Sequence, residues 1–457
     1  MVMKSCSPLS LACGCAGLAL LGLSVLPILG LDRGTEGARL AVYLLLLLLA
    51  ALALVVIRTF DRTPLNRLLT ALFPIGLAFF LRAIMLFYVS SDYEIFLSQW
   101  VATLRDNGGF GAIKLPIGNY NAPYLYFLAA ISYLPIPDLY LIKLFSILFD
   151  VILAWGGARL VRHFSDTDSL RPLVCFCALL LLPTVMLNGA YWGQCDALYG
   201  ALVLHALASA LEHRGAVSLT LLGVAFSFKL QTVFILPLWA ILWLTGRIKF
   251  RHLFLFPAAY AVTCVPALLL GKPLGDILSV YVGQTQEGAG SLNYNSASIF
   301  SFLPYGASVA EAPAARAGIL AAFLLVLLLL GVLFLFRRRL SDAALFSAGV
   351  VLALGVPFLL PYMHDRYFFL ADVLTLVWAC AMPCHLPAPV LVQLASLSAY
   401  LVYFRQRYTL VLHLGGNTYT MLVESLLILA ALAYACCSLW LDLRQTGKGK
   451  NQTDPRL

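Results

Sequence analysis

Long apolar runs recur along almost the whole sequence, and short polar loops separate them. The first three runs occupy about residues 9–31, 40–57 and 68–88. A helix needs roughly 20 apolar residues to cross the hydrocarbon of a bilayer. Since 62% of the residues are hydrophobic and only 11% are charged, the pattern excludes a soluble globular protein. It predicts an all-α polytopic membrane protein.

Basic residues in the short loops indicate the orientation of the helices, because cytoplasmic loops are enriched in Lys and Arg. Residues 58–67 and the run Arg337-Arg338-Arg339 are the clearest examples. This rule predicts about fourteen transmembrane helices in one domain over residues 1–457, with both termini cytoplasmic. Residues 89–126 and 271–314 then form two longer outer loops. The net charge of +9 is dispersed among loops, so a nucleic-acid partner is not expected.

The first outer loop contains the strongest candidate for chemistry. Apolar residues from Phe96 to Leu104 recur at helical spacing with polar residues between them, which predicts an amphipathic helix at the membrane surface. Residues 121–135 are apolar but too short to cross, which predicts a second juxtamembrane helix. Asp92 begins this loop, and we interpret its carboxylate as the catalytic group.

Four polar clusters are expected on the outer face. They supply carboxylates, an arginine, a lysine and an imidazole, and they are Asp92-Tyr93-Glu94, Trp192-Gly193-Gln194-Cys195-Asp196, Lys229-Leu230-Gln231 and His364-Asp365-Arg366-Tyr367. Arginine with lysine or histidine can hold a phosphate, and a carboxylate can take the proton of an attacking hydroxyl. That combination suits sugar transfer from a lipid monophosphate, because the departing phosphate needs no protonation.

In their order, these motifs resemble the GT-C superfamily of integral-membrane glycosyltransferases. The similarity is greatest to the branch with the lumenal glucosyltransferases of asparagine-linked glycosylation and bacterial mannosyltransferase-like relatives. It covers about residues 92–367 and includes Trp100, the Pro-containing segment 121–124 and the acid Asp150. Two additional apolar runs before Asp92 depart from the simplest form of that family.

The resemblance implies an inverting transfer of a hexose, mannose or glucose, from a polyprenyl-phosphate donor to a glycan, lipid or protein acceptor. It implies Asp92 as the general base and neither a metal nor another cofactor. Lys229, His364 and Arg366 would bind the donor phosphate. The expected substrate-binding residues are Tyr93, Glu94, Trp192, Gln194, Asp196, Gln231 and Asp365.

Structural interpretations of the same residues are also open. Asp92 is well placed to cap the surface helix, and Trp192 to anchor in the membrane interface. Gln194 and Asp196 could cap the next helix, whereas Lys229 needs an anionic partner because an unpaired lysine in lipid costs about 3 kcal/mol. Lys143 and Asp150, two turns apart on one face, are interpreted as a structural polar contact inside the bundle, and Asp166-Thr167-Asp168 as a solvated turn. The cysteines are interpreted as small apolar residues.

Two other functional classes compete with the transferase. A transporter or lipid flippase would also contain broken helices, but no inverted repeat is visible in the sequence. A ligase or polymerase that uses diphosphate-linked glycans would need a larger cluster of cations. The absence of a targeting peptide favours a bacterial inner membrane, with the endoplasmic reticulum as the alternative.

Overall fold

The computed structural model describes residues 7–287, 290–307 and 310–448, and the described chain is mostly helical. In chain order the α-helices are α1 Pro8–Leu23, α2 Val25–Leu29, α3 Glu36–Thr59, α4 Leu65–Met85, α5 Ser98–Asp106, α6 Ala122–Ile131, α7 Asp138–His163, α8 Arg171–Leu181, α9 Pro183–Met186, α10 Asp196–Leu211, α11 Gly215–Phe228, α12 Pro237–Leu244, α13 Phe250–Leu253, α14 Leu255–Leu269, α15 Leu274–Glu287, α16 Glu311–Leu335, α17 Asp342–Leu359, α18 Phe369–Ala381, α19 Pro387–Arg405 and α20 Leu422–Lys448. The strands are β1 Asn293–Tyr294, β2 Met363–His364, β3 Val411–Leu414 and β4 Asn417–Thr420.

Nine helices among the described residues are long and apolar enough to cross a membrane. A tenth results if the bent pair Arg171–Leu181 and Pro183–Trp192 is one span. The prediction of an all-α, multi-pass membrane protein is therefore confirmed. The total of about fourteen spans is not confirmed, because several of the predicted spans form shorter helices. Among them are α10 and α18, each below 18 residues.

Packing divides the chain into two compact units. The first comprises Met1–Ala208, Thr220–Leu230 and Phe256–Gly283, and the second comprises Ser209–Leu219, Gln231–Leu255 and Gln284–Leu457. The expectation of a single domain over residues 1–457 concerns both units together and stays a prediction.

In the first unit, α1 and α4 pack at unusually short range. A Cβ atom on Gly17 would lie 2.2 Å from the carbonyl oxygen of Leu72, and one on Gly76 would lie 2.5 Å from the carbonyl oxygen of Gly17. Small residues allow membrane helices to approach closely where hydrophobic burial gives little drive for association. The two glycines therefore allow α4 to pack closely against α1. Helix α4 leads directly into the loop that carries Asp92.

Two loops meet at one end of the first unit. The Arg162 guanidinium lies 2.5 Å from a carboxylate oxygen of Asp61, and Arg67 donates to the carbonyl of Asp168 over 3.0 Å. These contacts join the α3–α4 connection to the α7–α8 connection. Since α4 and α7 are both long enough to cross a bilayer, their other ends lie on the opposite side, where Asp92 follows α4.

The first long loop contains two short helices, as predicted. In α5 and the π-helical turn Tyr93–Leu97 before it, Leu97, Val101 and Leu104 are buried, while Gln99 is exposed. The helix is amphipathic, although Phe96, assigned to its apolar side, is 47% exposed. The second helix, α6, has only 10 residues and is too short to cross.

In the second unit, three connecting segments meet at one end. Strands β1 and β2 pair in parallel, and the amide of Tyr305 donates to the carbonyl of Thr418 over 2.7 Å. At the other end Arg247 pairs with Asp342, and Ser347 donates to Asp442 over 2.8 Å. Helices α16 to α20 therefore alternate in direction. The predicted loop 271–314 includes a helix, α15, as well as β1.

Candidate active site

The backbone before Asp92 is fixed by a lysine from another helix. The ammonium of Lys143, on α7, donates to the carbonyls of Met85 (3.2 Å), Leu86 (3.0 Å) and Tyr88 (2.6 Å). The last carbonyls of a helix have no partner within the helix, and a cation there is favourable. Lys143 thus satisfies the end of α4 and holds the segment that leads to Asp92.

Ser90 connects this segment to the second motif. Its hydroxyl donates to the carbonyl of Trp192 over 2.8 Å and accepts from the amide of Tyr93 over 3.3 Å. The Asp92 side chain makes no capping bond to the π-helical turn that follows it. The interpretation of Asp92 as a helix cap is therefore wrong, because Ser90 takes that role.

Backbone hydrogen bonds hold the Trp192-Gly193-Gln194 loop on both sides. It ends the π-helical turn Leu187–Trp192, and Gly193 adopts φ +82°, a conformation that favours glycine. The amide of Gln194 donates to the carbonyl of Asn188 over 2.9 Å, and its carbonyl accepts from Ser146 over 2.6 Å. The side chains of this loop are thus aimed by backbone contacts on both sides.

Two of those side chains hold Asp92. The indole Nε1 of Trp192 donates to Oδ2 of Asp92 over 3.1 Å, and Nε2 of Gln194 donates to the same oxygen over 2.5 Å. Both donors are neutral and buried, whereas Asp92 is half-buried. Because Trp192 is completely buried, its interpretation as an interfacial anchor is wrong. The structure thus brings together two motifs that lie a hundred residues apart in the sequence.

The same loop leads to a second, more deeply buried carboxylate. Asp196 accepts from Nδ2 of Asn188 over 2.7 Å and pairs with the ammonium of Lys229, which lies between α11 and the 3₁₀ turn Leu230–Phe234. Asp196 is 1% exposed and Lys229 6%. The expectation of an anionic partner for Lys229 is confirmed. Its role in binding a donor phosphate stays a prediction.

Two tyrosines stack between the end of α4 and the Trp192 turn, and one of them, Tyr88, interacts electrostatically with Asp92. The rings of Tyr88 and Tyr191 stack with centroids 3.8 Å apart. Burial, followed by the neighbouring Tyr191 and the carboxylates of Asp92 and Glu94, raises the pKa of Tyr88. Burial, followed by Asp138, also raises the pKa of Tyr93. Both phenols therefore stay neutral at physiological pH.

Tyr93 and Glu94, predicted to bind substrate, differ in accessibility. Tyr93 is 4% exposed, forms a hydrogen bond with Asp138 and lies beneath the guanidinium of Arg33, 5.8 Å from its ring centroid. Glu94 is exposed and directly follows it. Of this pair, only Glu94 presents its side chain to solvent.

The remaining predicted residues belong to the second unit. Gln231 is buried in the turn Leu230–Phe234. His364, in β2, stacks on Tyr294 with ring centroids 4.8 Å apart, and Asp365 lies 3.9 Å from Arg366. The structure thus groups His364, Asp365 and Arg366 around β2, while their roles with donor or acceptor stay predictions.

Beneath the loop lies an ion pair of which only Asp150 was predicted from the sequence. Arg82 donates twice to Oδ2 of Asp150, over 3.0 and 2.9 Å, and also to the carbonyls of Ala78 and Leu180. A Cβ on Gly189, in the π-helical turn, would lie 3.4 Å from Asp150 Oδ2. Asp150 is structural, as predicted, but its partner is Arg82, whereas Lys143 bonds to backbone carbonyls. The ion pair lies against the turn that carries Trp192.

The Asp166-Thr167-Asp168 segment forms an exposed turn, as expected. Arg162 donates to the carbonyls of Asp166 and Thr167, and Arg67 donates to that of Asp168. These contacts hold the backbone of the turn. All ten described cysteines are free thiols.

Several residues that position the site were not predicted from the sequence. They are Arg82, Ser90, Ser146 and Asn188. Arg82, Ser90 and Ser146 bond to partners 68, 102 and 48 residues away in the sequence, whereas Asn188 bonds to Asp196, eight residues away. An intramembrane arginine at position 82 was a usable signal, because a charge in a spanning helix needs a partner.

Comparisons with known proteins give no additional assignment. No protein-family model matches the chain, and no curated protein is significantly similar to it. The functional conclusion therefore depends on the residues and their geometry.

Proposed function

We propose that the protein is an inverting glycosyltransferase that moves a hexose from a polyprenyl-phosphate carrier to an acceptor hydroxyl, with Asp92 as the general base. The observation that carries this proposal is the double hydrogen bond from Trp192 and Gln194 to one oxygen of Asp92. Both donors are uncharged, and together they orient the half-buried carboxylate of Asp92. An oriented carboxylate within reach of solvent is suited to accept a proton.

The proposed reaction is a direct displacement. The acceptor oxygen attacks the anomeric carbon and forms the new glycosidic bond, while its proton moves to the carboxylate of Asp92. The bond between the anomeric carbon and the phosphate oxygen breaks, and polyprenyl phosphate leaves as an anion. Cations stabilise that anion without protonating it, so one carboxylate suffices where an inverting glycosidase uses two.

The distribution of charge supports an outward orientation. In the first unit, the end opposite Asp92 carries Arg67 and Arg162, and in the second unit the end opposite β2 carries Arg247 and the Arg337–Arg339 turn. By the positive-inside rule these ends face the cytoplasm. Asp92 then faces the other side, where a sugar donor is carried by lipid. The bilayer is thus both the surroundings of the protein and the source of its donor.

The donor assay tests this proposal. Purified protein in lipid nanodiscs is incubated with radiolabelled mannose or glucose on polyprenyl phosphate, on polyprenyl diphosphate or on a nucleotide, with and without a chelator. We expect label to leave only the monophosphate lipid, and the rate to be unaffected by chelation. Transfer only from the diphosphate lipid would favour the ligase. In sealed vesicles, movement of intact labelled lipid between leaflets would favour a flippase and contradict the proposal.

Trp192 is expected to act by positioning Asp92. Trp192→Phe removes the indole N–H and should lower kcat about 10- to 100-fold, because a hydrogen bond to a charged group contributes roughly 1.5–3 kcal/mol. The KM for the donor should not change. Steady-state kinetics with Trp155→Phe as control measure this effect. Trp155 packs against Phe60, at the end of α3, with ring centroids 4.5 Å apart.

A variant combination separates positioning from general loss of structure. In an Asp92→Asn background, Trp192→Phe should produce little further loss, since both changes disable one unit. A full additional 10-fold loss in that background would contradict the positioning role.

A further inference from the structure

The second unit contains a cavity of about 370 Å³ at the end where its three connecting segments meet. This volume falls within the roughly 300–1,000 Å³ typical of small-molecule sites. The β1–β2 pair and the backbone hydrogen bond between Tyr305 and Thr418 connect the three segments. Asn293 of β1 and Tyr305 also line the cavity. The cavity is therefore built from three parts of the chain that hold one another in place.

Two tyrosines form the aromatic part of the wall. The rings of Tyr305 and Tyr408 meet edge to face, with centroids 6.2 Å apart. Tyr408 packs against the buried residues Ala399, Val402 and Met421, while Tyr305 is 68% exposed. One ring is thus anchored in the fold and the other is accessible. Tyrosine rings offer an apolar face beside a polar tip, which suits a ligand that has both kinds of surface.

The polar part of the wall is also fixed. Asn295 accepts from the hydroxyl of Tyr408 through Oδ1 over 2.8 Å, which orients its amide group. Glu311 accepts from the amide of Gly290 over 3.1 Å. The wall thus provides an amide donor and a carboxylate acceptor next to the aromatic rings.

The charge of the wall restricts the class of ligand. Of the described lining residues, Glu311 is the single charged one, and it is negative. A phosphate or diphosphate would be repelled there, since like charges at short range are unfavourable. A neutral ligand with many hydroxyl groups can instead donate to Glu311, accept from Asn295 and place its C–H surface on Tyr305.

We propose that this cavity binds an uncharged sugar ring, as a site in addition to the one around Asp92. Its recognition elements are the faces of Tyr305 and Tyr408, the amide of Asn295 and the carboxylate of Glu311. The identification of the occupant as a sugar residue of the acceptor rests on the proposed function, whereas sugar binding itself does not.

Saturation-transfer NMR tests the site directly. Protein in lipid nanodiscs prepared without glycoside detergents is mixed with methyl α-mannoside, methyl β-glucoside or methyl phosphate. We expect transfer to the ring protons of at least one sugar and none to methyl phosphate. Tyr305→Ala and Asn295→Ala should each weaken sugar binding at least 5-fold.

Tyr419→Ala is the matched control. Tyr419 neighbours Thr420 on β4, but only Thr420 lines the cavity, since successive strand residues face opposite sides. This variant should bind sugar like the wild type. Absence of transfer to both sugars, equal transfer to methyl phosphate, or unchanged binding by Tyr305→Ala and Asn295→Ala would overturn the proposal.

The binding assay needs no donor lipid and no catalysis. Sugar binding without any transferase activity would therefore leave the cavity assignment intact while removing its identification with an acceptor. Transferase activity without sugar binding in this cavity would contradict the cavity assignment alone.

Discussion

Asp92→Asn is expected to lower the rate of sugar transfer about 10²–10⁴-fold, the usual contribution of a general base. Asparagine preserves the shape of the side chain and an oxygen that can accept from Trp192 and Gln194. What it removes is the capacity to take the proton of the acceptor hydroxyl. The variant should therefore fold normally and bind the donor with an unchanged KM, while kcat falls. Initial rates with the identified donor lipid measure the effect.

Asp106→Asn is the control for this comparison. Asp106 is an exposed carboxylate at the end of α5 in the same loop. Its replacement changes the charge of the protein by the same amount, and we expect activity within about twofold of the wild type. Transfer by Asp92→Asn at the wild-type rate would end the assignment of Asp92 as the base.

The second large effect concerns stability. Arg82→Met should destabilise the protein by about 3–5 kcal/mol, because it leaves the carboxylate of Asp150 buried without its partner. Both side chains are fully buried within spanning helices. The loss should be largest near the π-helical turn that carries Trp192, since Gly189 lies against Asp150. Equilibrium unfolding of purified protein in detergent measures the change.

Two further variants give this prediction its controls. Arg82→Met combined with Asp150→Asn removes the unpaired charge and should recover most of the loss. Arg162→Met breaks the pair between Arg162 (30% exposed) and Asp61 (12% exposed), and because this pair is partly solvated, it should cost clearly less than Arg82→Met. If Arg82→Met and Arg162→Met were equally stable, the buried pair would not support the turn.

Several features of the fold were predictable because they depend on local pattern. The length of α6 follows from the short apolar run between its flanking polar segments, and the amphipathic character of α5 follows from residue spacing. The sequence predicted that Asp92 and the Trp192 loop lie on the same face of the membrane, but not that they contact each other. Its hydrogen bonds depend on the backbone of the loop, which spacing does not encode.

Other features could not be predicted from local pattern. The π-helical turns Tyr93–Leu97 and Leu187–Trp192 arise where tertiary contacts override helix periodicity. Lys229 clearly needed an anion, but the sequence offered several carboxylates, and Asp196 was instead expected to contact substrate. The number of spans could not be predicted either, because a helix too short to cross the bilayer is stable when it is buried among other helices.

The most direct test of the account follows one labelled hexose of known anomeric configuration on polyprenyl phosphate. Wild-type and Asp92→Asn proteins are compared in the same reconstituted membrane, and the product linkage is determined by NMR. The account predicts transfer with inverted configuration by the wild type and label retained on the lipid by Asp92→Asn. Transfer with retained configuration, or equal transfer by both proteins, would contradict it.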